Sequence, residues 1–570
     1  MESKTASQRI TRHFATITDG AWGARQVHYR RVGTGPVVIL LHQSPLSSQD
    51  MLATMNRWKA HFTCIAPDHP GYGLSDPLGV ERAEMADFAR ATIEFLDALG
   101  LRKAAFYGYH TGAMIAAAVA EHFPERVHCA VANGYVVLTE AEREDIVANY
   151  LPLFEPKWDG SHLTWLWSRM REQSIFFPWY RKSIEDRLDF DLPSPAALHA
   201  GALDMLRSGD HHRVGYRAAF TMRSDEYLRR IRVPTLITAS KSDPLAQQMP
   251  RITQKSTSVS LQIGGTGEET LDLCRDWIKK HKPPALASTL NPTAPLHGRL
   301  WQQYIDVPGG QLRVRRNSDV AGRPVLVQHD AAGSSEVVQA LASGFIGTRP
   351  VIAINLPGHG ESDNTLRKGK VTVTAYAKVV LAALKSLGVT DFDFIGTWGG
   401  GLVGLELAVL APKRVRRLVM CDVLYFDAAL RKELQQNYTP DIQPDWYGGH
   451  LLQAWHLLRD QGLFWPWYRR TKAGIIRKPL YIDPVMVNGR VLELFRSQGM
   501  WRQAYQAHFS YPLASKLRQL KVPLLFAAPA WDPQLEDTQR TARDFAHAPF
   551  QLLPHDMHQW AGALLPFFNA

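Results

Sequence analysis

Two stretches of this chain, 288 positions apart, read almost alike. Residues 158–181 are "WDGSHLTWLWSRMREQSIFFPWYR" and residues 446–469 are "WYGGHLLQAWHLLRDQGLFWPWYR". They align without a gap, and the matches include rare residues: Trp158/Trp446, His162/His450, Trp167/Trp455, Pro178/Pro466, Trp179/Trp467 and Tyr180/Tyr468. Nearly the same offset carries "PVVILLHQSP" (36–45) onto "PVLVQHDAAG" (324–333) and "PGYGLSD" (70–76) onto "PGHGESD" (357–363). It also carries "VPTLITASKSDP" (233–244) onto "VPLLFAAPAWDP" (522–533). A repeat unit of roughly 270 residues means a whole domain copied once, not a solenoid. The expected organisation is a first domain over 1–280, a joint over 281–296 and a second domain over 297–570. The joint, "HKPPALASTLNPTAPL", is rich in Pro, Ala, Ser and Thr and has neither a helical nor a strand period. Two copies of one unit should pack as an internal pseudo-dimer, since duplication keeps the self-complementary surface of a two-fold ancestor. Further self-association is left open.

Within one unit, "VVILLH" (37–42), "FTCIAPD" (62–68), "KAAFYGY" (103–109), "VHCAVANG" (127–134) and "PTLITAS" (234–240) are short apolar runs ending in turns. That is the mark of strands buried on both faces. Between them lie helical patterns such as "MADFARATIEFLDALG" (85–100) and "GAMIAAAVAEHFP" (112–124). The alternation predicts an α/β fold, a mostly parallel doubly wound sheet with helices on both faces, in each of two tandem domains. Residues of about 140–225, and about 428–512 in the second copy, break the alternation. They are helical and rich in Trp, Phe and Tyr, and predict a cap over the strands' C-terminal ends, where α/β sheets place ligands.

With these motifs in view, both halves resemble α/β-hydrolase domains of the capped, haloalkane dehalogenase and epoxide hydrolase type, over nearly the whole chain. "LLHQSPLSS" (40–48) resembles that family's H-G-x-P oxyanion loop, and "DHPGYGLSD" (68–76) its D-x-P-G-x-G-x-S-D segment. Gly108-Tyr109-His110-Thr111-Gly112 has the frame of its nucleophile elbow, G-x-S-x-G, and "VPTLITASKSDP" resembles the strand that delivers the acid. The resemblance implies the fold more closely than the reaction, because the fold hosts esterases, dehalogenases, C–C hydrolases, lyases and non-catalytic receptors.

The family's working residues follow the order nucleophile, acid, histidine. In the first half these slots fall on His110, on Asp243 and, by carrying the second half's His558 back along the repeat, on Glu269, with Glu268 as its neighbour. In the second half Asp532 and His558 fill the last two slots, but Trp398, in Gly396-Thr397-Trp398-Gly399-Gly400, stands at the elbow. Neither half carries a Ser-His-Asp triad.

An elbow pushes one side chain into the pocket at the start of a helix, with glycines at i−2 and i+2 allowing the close packing. Imidazole, with an ordinary pKa of about 6.5, can work there as a general base, or as a nucleophile through an acyl-imidazole. A carboxylate on its other nitrogen, from Asp243 or Glu269, would set the tautomer and stabilise the imidazolium. The backbone N–H groups of Ser44 and Thr111 are the expected oxyanion donors. His42, Trp158, His162, Trp179 and Tyr180 are candidates for the substrate pocket, although such residues serve equally well as core. Trp398, Asp532 and His558 define a second site, either filled by the indole or capable of acid–base lyase work by His558 with Asp532.

Composition narrows the remaining classes. The net charge of +11 is spread without a block of like charges, so no nucleic-acid partner is expected. Cys64, Cys129, Cys274 and Cys421 are far apart, which suits neither zinc nor a disulfide framework, and fits a reducing compartment. "MESKTASQRITRHF" has no apolar core and no apolar run reaches transmembrane length, so a cytoplasmic protein with no membrane partner is expected. "GTGEE" lacks the Lys-Ser/Thr of a P-loop; no cofactor and no metal are expected. The expected function is cleavage of an ester, thioester or carbonyl-adjacent C–C bond in a small apolar or aromatic molecule, with a ligand-binding pseudo-hydrolase as the opposing class.

Overall fold

A computed structural model describes residues 9–286, 289–367, 369–423, 425–477 and 482–570. Residues 1–8 of the N-terminal stretch and 287–288 of the joint lie outside the described residues. The chain forms two compact units. One comprises the described residues within 1–155, 162–294 and 445–447, the other those within 156–161, 295–444 and 448–570.

The first unit is built on an eight-stranded sheet. Its strands are β1 (Thr11–Ile17), β2 (Arg25–Val32), β3 (Val37–Leu41), β4 (Thr63–Pro67), β5 (Ala104–Tyr109), β6 (Val127–Asn133), β7 (Thr235–Ala239) and β8 (Val259–Ile263). They lie in the order β1-β2-β4-β3-β5-β6-β7-β8. β1 and β2 run antiparallel to their neighbours, and β3 to β8 are parallel. The apolar runs of the sequence are these strands. All residues of β3, β4 and β7 are buried, because helices cover both faces and no alternation with polar residues is needed. The helices Met85–Ala98 and Thr111–His122 pack into one continuous core with β3, β5 and β6. A block of helices, Glu140–Asn149, Ser161–Gln173, Pro195–Ser208 and His212–Thr221, interrupts the alternation between β6 and β7. It holds its own aromatic core of Tyr150, Tyr216 and Phe220.

The second unit repeats this plan with β9 (Trp301–Val307), β10 (Gly310–Arg316), β11 (Val325–Gln328), β12 (Val351–Ile354), β13 (Phe392–Thr397), β14 (Val415–Cys421), β15 (Leu524–Pro529) and β16 (Phe550–Leu553). The strand order is the same, β9-β10-β12-β11-β13-β14-β15-β16. Its helical block, running from Ala428 to Phe509, likewise falls between the sixth and seventh strands. Among the described residues no helix is long and apolar enough to cross a membrane.

Candidate active site

The site begins at the turn between β5 and the helix Thr111–His122. His110 sits there with φ 48° and ψ −109°, a conformation that costs an L-residue energy and marks a strained, over-determined turn. The flanking glycines make it possible. A Cβ on Gly108 would lie 1.9 Å from the Gly112 carbonyl oxygen, and one on Gly112 would lie 2.0 Å from the Leu41 carbonyl oxygen. The backbone N–H of His110 donates to the Asn133 carbonyl at 2.9 Å, which ties the elbow to the end of β6.

From this turn the imidazole reaches Asp243, which stands just after β7. His110 Nε2 and Asp243 Oδ2 are 2.8 Å apart. Asp243 is the N-cap of a short 3-10 turn beginning at Pro244, and its Oδ1 accepts the Leu245 N–H at 2.9 Å, so its carboxylate is held from both sides. The pair closes over Gly134, which has φ +72°; a Cβ there would lie 2.2 Å from His110 Cδ2 and 3.1 Å from Asp243 Oδ2. Burial works against a charged imidazole, but the neighbouring Asp243 carboxylate and its hydrogen bond outweigh it and raise the His110 pKa. Burial likewise works against the Asp243 charge, and His110 outweighs it and lowers the carboxyl pKa. Nδ1 of His110 has no partner among the described residues, and the side chain keeps 27% of its surface exposed.

That surface opens into a cavity of about 580 Å³ within the first unit. Its floor is the elbow, the loop carrying Gln43, Ser44 and Asp50, and the turn carrying Ser242 and Asp243. Cap helices supply the roof, with Met170, Gln173, Asp204, Tyr216 and Phe220. Asp50 accepts from Gln43 twice, from the backbone N–H at 3.4 Å and from Nε2 at 3.3 Å, and burial raises its pKa despite these bonds. Asp204 ties the cap to the oxyanion loop: its Oδ2 accepts the Ser47 N–H at 3.0 Å and the Ser47 hydroxyl at 2.8 Å. Burial pushes its pKa up to about 7.

Several expected site residues stand elsewhere. Glu269 does not support His110. It is exposed, and its carboxylate accepts the Thr266 N–H at 2.8 Å in a capping box at the start of the helix Gly267–Lys280. Glu268 is also exposed and faces Arg57. Local capping takes the carboxylate. Ser44 and Thr111 both line the cavity, yet the Ser44 N–H donates to Thr111 Oγ1 at 3.3 Å instead of standing open. His42 is fully buried beneath the floor: Nδ1 donates to the Gln43 carbonyl at 2.8 Å and Nε2 accepts the His69 N–H at 3.0 Å. His329 repeats this in the second unit with Asp330 and Leu356, so both histidines brace a loop. Trp158 is 72% exposed, and His162 is buried in the cap beside Phe154. Trp179 donates its indole N–H to the Tyr150 carbonyl, and Tyr180 bonds Asp145; neither lines the cavity. Tyr109, Tyr150, Phe177, Phe190, Tyr216 and Phe220 form its aromatic wall instead.

The second unit keeps the elbow's geometry and fills its site. Trp398 has φ 45° and ψ −121°, matching His110. The following N–H, that of Gly399, donates to Asp330 Oδ1 at 3.1 Å, so a carboxylate of the chain occupies the donor an oxyanion would use. Tyr505 donates to the other oxygen at 2.9 Å, and the buried His508 packs against Gly399 with Nδ1 3.6 Å from Asp330 Oδ1. Where the first unit has Gly134, the second has Asp422, at φ +58° and 1% exposed. Neither carboxyl oxygen of Asp422 meets a donor, and burial together with the neighbouring Asp532 raises its pKa well above the usual range. His558 does not join Asp532. It is exposed on a short 3-10 turn capped by Asp556, whereas Asp532 is buried and accepts the Gln534 N–H at 2.7 Å. Asp50, Asp204, Gly134, Asp330, His508 and Asp422 escaped the sequence reading. The repeat offset does pair Gly134 with Asp422 and so carried one usable signal; the others depend on side-chain direction.

A parallel sheet with a cap between its sixth and seventh strands, a strained strand-to-helix elbow and an acid after the seventh strand define a class of protein. A family model for the alpha/beta hydrolase fold matches residues 36–270 and 323–448, and the chain belongs to that family. Over 105 residues it is 34% identical to haloalkane dehalogenase 2 of Mycobacterium tuberculosis, covering 18% of this chain and 36% of that protein. Over 125 residues it is 31% identical to 2-hydroxymuconate semialdehyde hydrolase of Pseudomonas putida, covering 21% of this chain and 44% of that protein. The chain therefore spans less than half the length of these curated relatives. Among solved structures, a hydrolase from Pseudomonas aeruginosa matches with a TM-score of 0.38 and 21% identity, over 48% of this chain and 99% of that one.

Proposed function

We propose that the first unit is a cofactor-independent enzyme that cleaves an ester, a thioester or a carbonyl-adjacent C–C bond of a small molecule, with His110 as general base. The His110–Asp243 pair at 2.8 Å, with His110 lining the cavity and its Nδ1 without a partner among the described residues, carries this reading. Asp243 accepts a hydrogen bond from Nε2–H, which leaves the lone pair on Nδ1. That lone pair takes a proton from a water as its oxygen bonds to the carbonyl carbon, and Asp243 stabilises the imidazolium. The bond to the leaving group then breaks, and the imidazolium returns its proton to the departing alkoxide, thiolate or enolate. Proton transfer of this kind is typically worth about 10²–10⁴ in rate. The Thr111 N–H, at the start of its helix, is the donor for the developing oxyanion. The second unit serves as a partner domain without turnover, a role favoured by the Asp330 carboxylate on the Gly399 N–H.

The test is a screen of aromatic esters, thioesters and β-diketones, with His110→Ala and His558→Ala beside the native protein. His110→Ala should abolish turnover and His558→Ala should leave it unchanged. Because only the neutral ring accepts a proton, the rate should rise with pH through one ionisation above the ordinary 6.5, in keeping with the raised imidazole pKa. Full activity in His110→Ala would place the chemistry elsewhere.

A further inference from the structure

The cavity's charge is opposite to that of the chain. The protein carries +11 overall, yet among the described residues the cavity is lined by Asp50, Asp204 and Asp243, with His110 as its basic group and neither lysine nor arginine. The three carboxylates are not equivalent. Asp243 is matched by His110. Asp204 is taken up by the Ser47 N–H, the Ser47 hydroxyl and Gln49 Nε2, and Arg30 and Arg207 act on it from outside the cavity lining. Asp50 accepts hydrogen bonds from Gln43 alone among the described residues, at 3.3 and 3.4 Å, both longer than an ordinary charged hydrogen bond, and the His110 charge acts on it without a hydrogen bond. It therefore keeps capacity for a further donor.

The guanidinium of Arg169 does not offset this. It stacks on Tyr150 and Trp179, at 4.9 and 4.6 Å, and its NH1 donates to Gln173 Oε1 at 2.6 Å, so it lies behind the wall. The wall itself carries the aromatic rings of Tyr150, Tyr216 and Phe220, a ring type that attracts cations and not anions.

We propose that this cavity takes a small molecule bearing a protonated amine, that Asp50 receives the ammonium group, and that carboxylates are excluded. The inference deepens the proposed function by naming a substrate class, and it rests on the same cavity. A desolvated carboxylate with spare acceptor capacity favours an ammonium ion, whereas a carboxylate ligand would meet like charge in a low-dielectric site.

Three ligands of one shape test it: benzylamine, benzyl alcohol and benzoate, titrated calorimetrically into the full chain at neutral pH. Benzylamine should bind about tenfold or more tightly than benzyl alcohol, a difference of about 1.4 kcal/mol, and benzoate should bind least. In Asp50→Asn, checked for folding by thermal melting, benzylamine should fall to the level of the alcohol; Asp50→Ser serves if the amide does not fold. Benzoate binding as well as benzylamine, an unchanged preference in both variants, or no binding by any of the three would overturn the proposal. Ester turnover is read separately. Activity on neutral esters without an amine preference sinks the charge selection alone, and amine binding without turnover of any ester sinks the hydrolase reading alone.

Discussion

Gly134→Ala tests the core of the site without any substrate. Gly134 has φ +72°, and an added Cβ would lie 2.2 Å from His110 Cδ2, 2.8 Å from Nε2 and 3.1 Å from Asp243 Oδ2. An ordinary contact begins near 3.4 Å, so the ring must retreat by about 1.2 Å. Along the bond direction this takes a 2.8 Å hydrogen bond out of range. Losing a charge-assisted hydrogen bond costs about 1.5–3 kcal/mol, and a left-handed alanine about 1–2 kcal/mol. Reduced freedom of the unfolded chain returns about 0.4–1 kcal/mol. The first unit should therefore lose about 2–4 kcal/mol in equilibrium denaturation. The titration of His110 is the sharper readout, followed by NMR of ring-labelled histidine and assigned with His110→Gln. In the native protein the Asp243 carboxylate holds the imidazole pKa above 6.5 against burial. Once the pair is broken, burial acts unopposed and the pKa should fall below 6.5. A titration still above 6.5, with stability changed by less than about 0.5 kcal/mol, would refute the idea that Gly134 makes room for the pair.

Glu269→Gln should leave the His110 titration and the rate–pH profile where they are and cost only the capping box, about 1 kcal/mol or less; a shifted His110 pKa would bring Glu269 back into the site. Asp422→Asn should act on the second unit. Because the folded-state pKa of Asp422 is raised, the unfolded chain ionises first, and stability falls by about 1.4 kcal/mol per pH unit above the ordinary carboxyl value until the folded pKa is reached. The amide should flatten that slope in denaturation midpoints measured from pH 5 to 8; parallel curves for variant and native protein would sink the assignment.

Much of this protein is legible in one dimension. The offset between "WDGSHLTWLW" and "WYGGHLLQAW" is a repeat visible in the sequence, and buried apolar runs broken by helical periods yield both sheets. Gly108 and Gly112 frame His110 because an elbow's steric needs are met by residues two positions away, and Asp243 follows its strand for the same local reason. What tertiary structure decided is where side chains point. Glu269 and Asp243 were equal candidates for the imidazole, and a capping box four residues long claimed the first while a 2.8 Å approach across 133 positions claimed the second. The same holds for Asp50 facing the cavity, for Asp330 turned onto the Gly399 N–H, and for Trp179 spent on the Tyr150 carbonyl instead of lining the pocket. Secondary structure answers to spacing along the chain, but a hydrogen-bond partner is won or lost within about an ångström, and no local pattern records that distance.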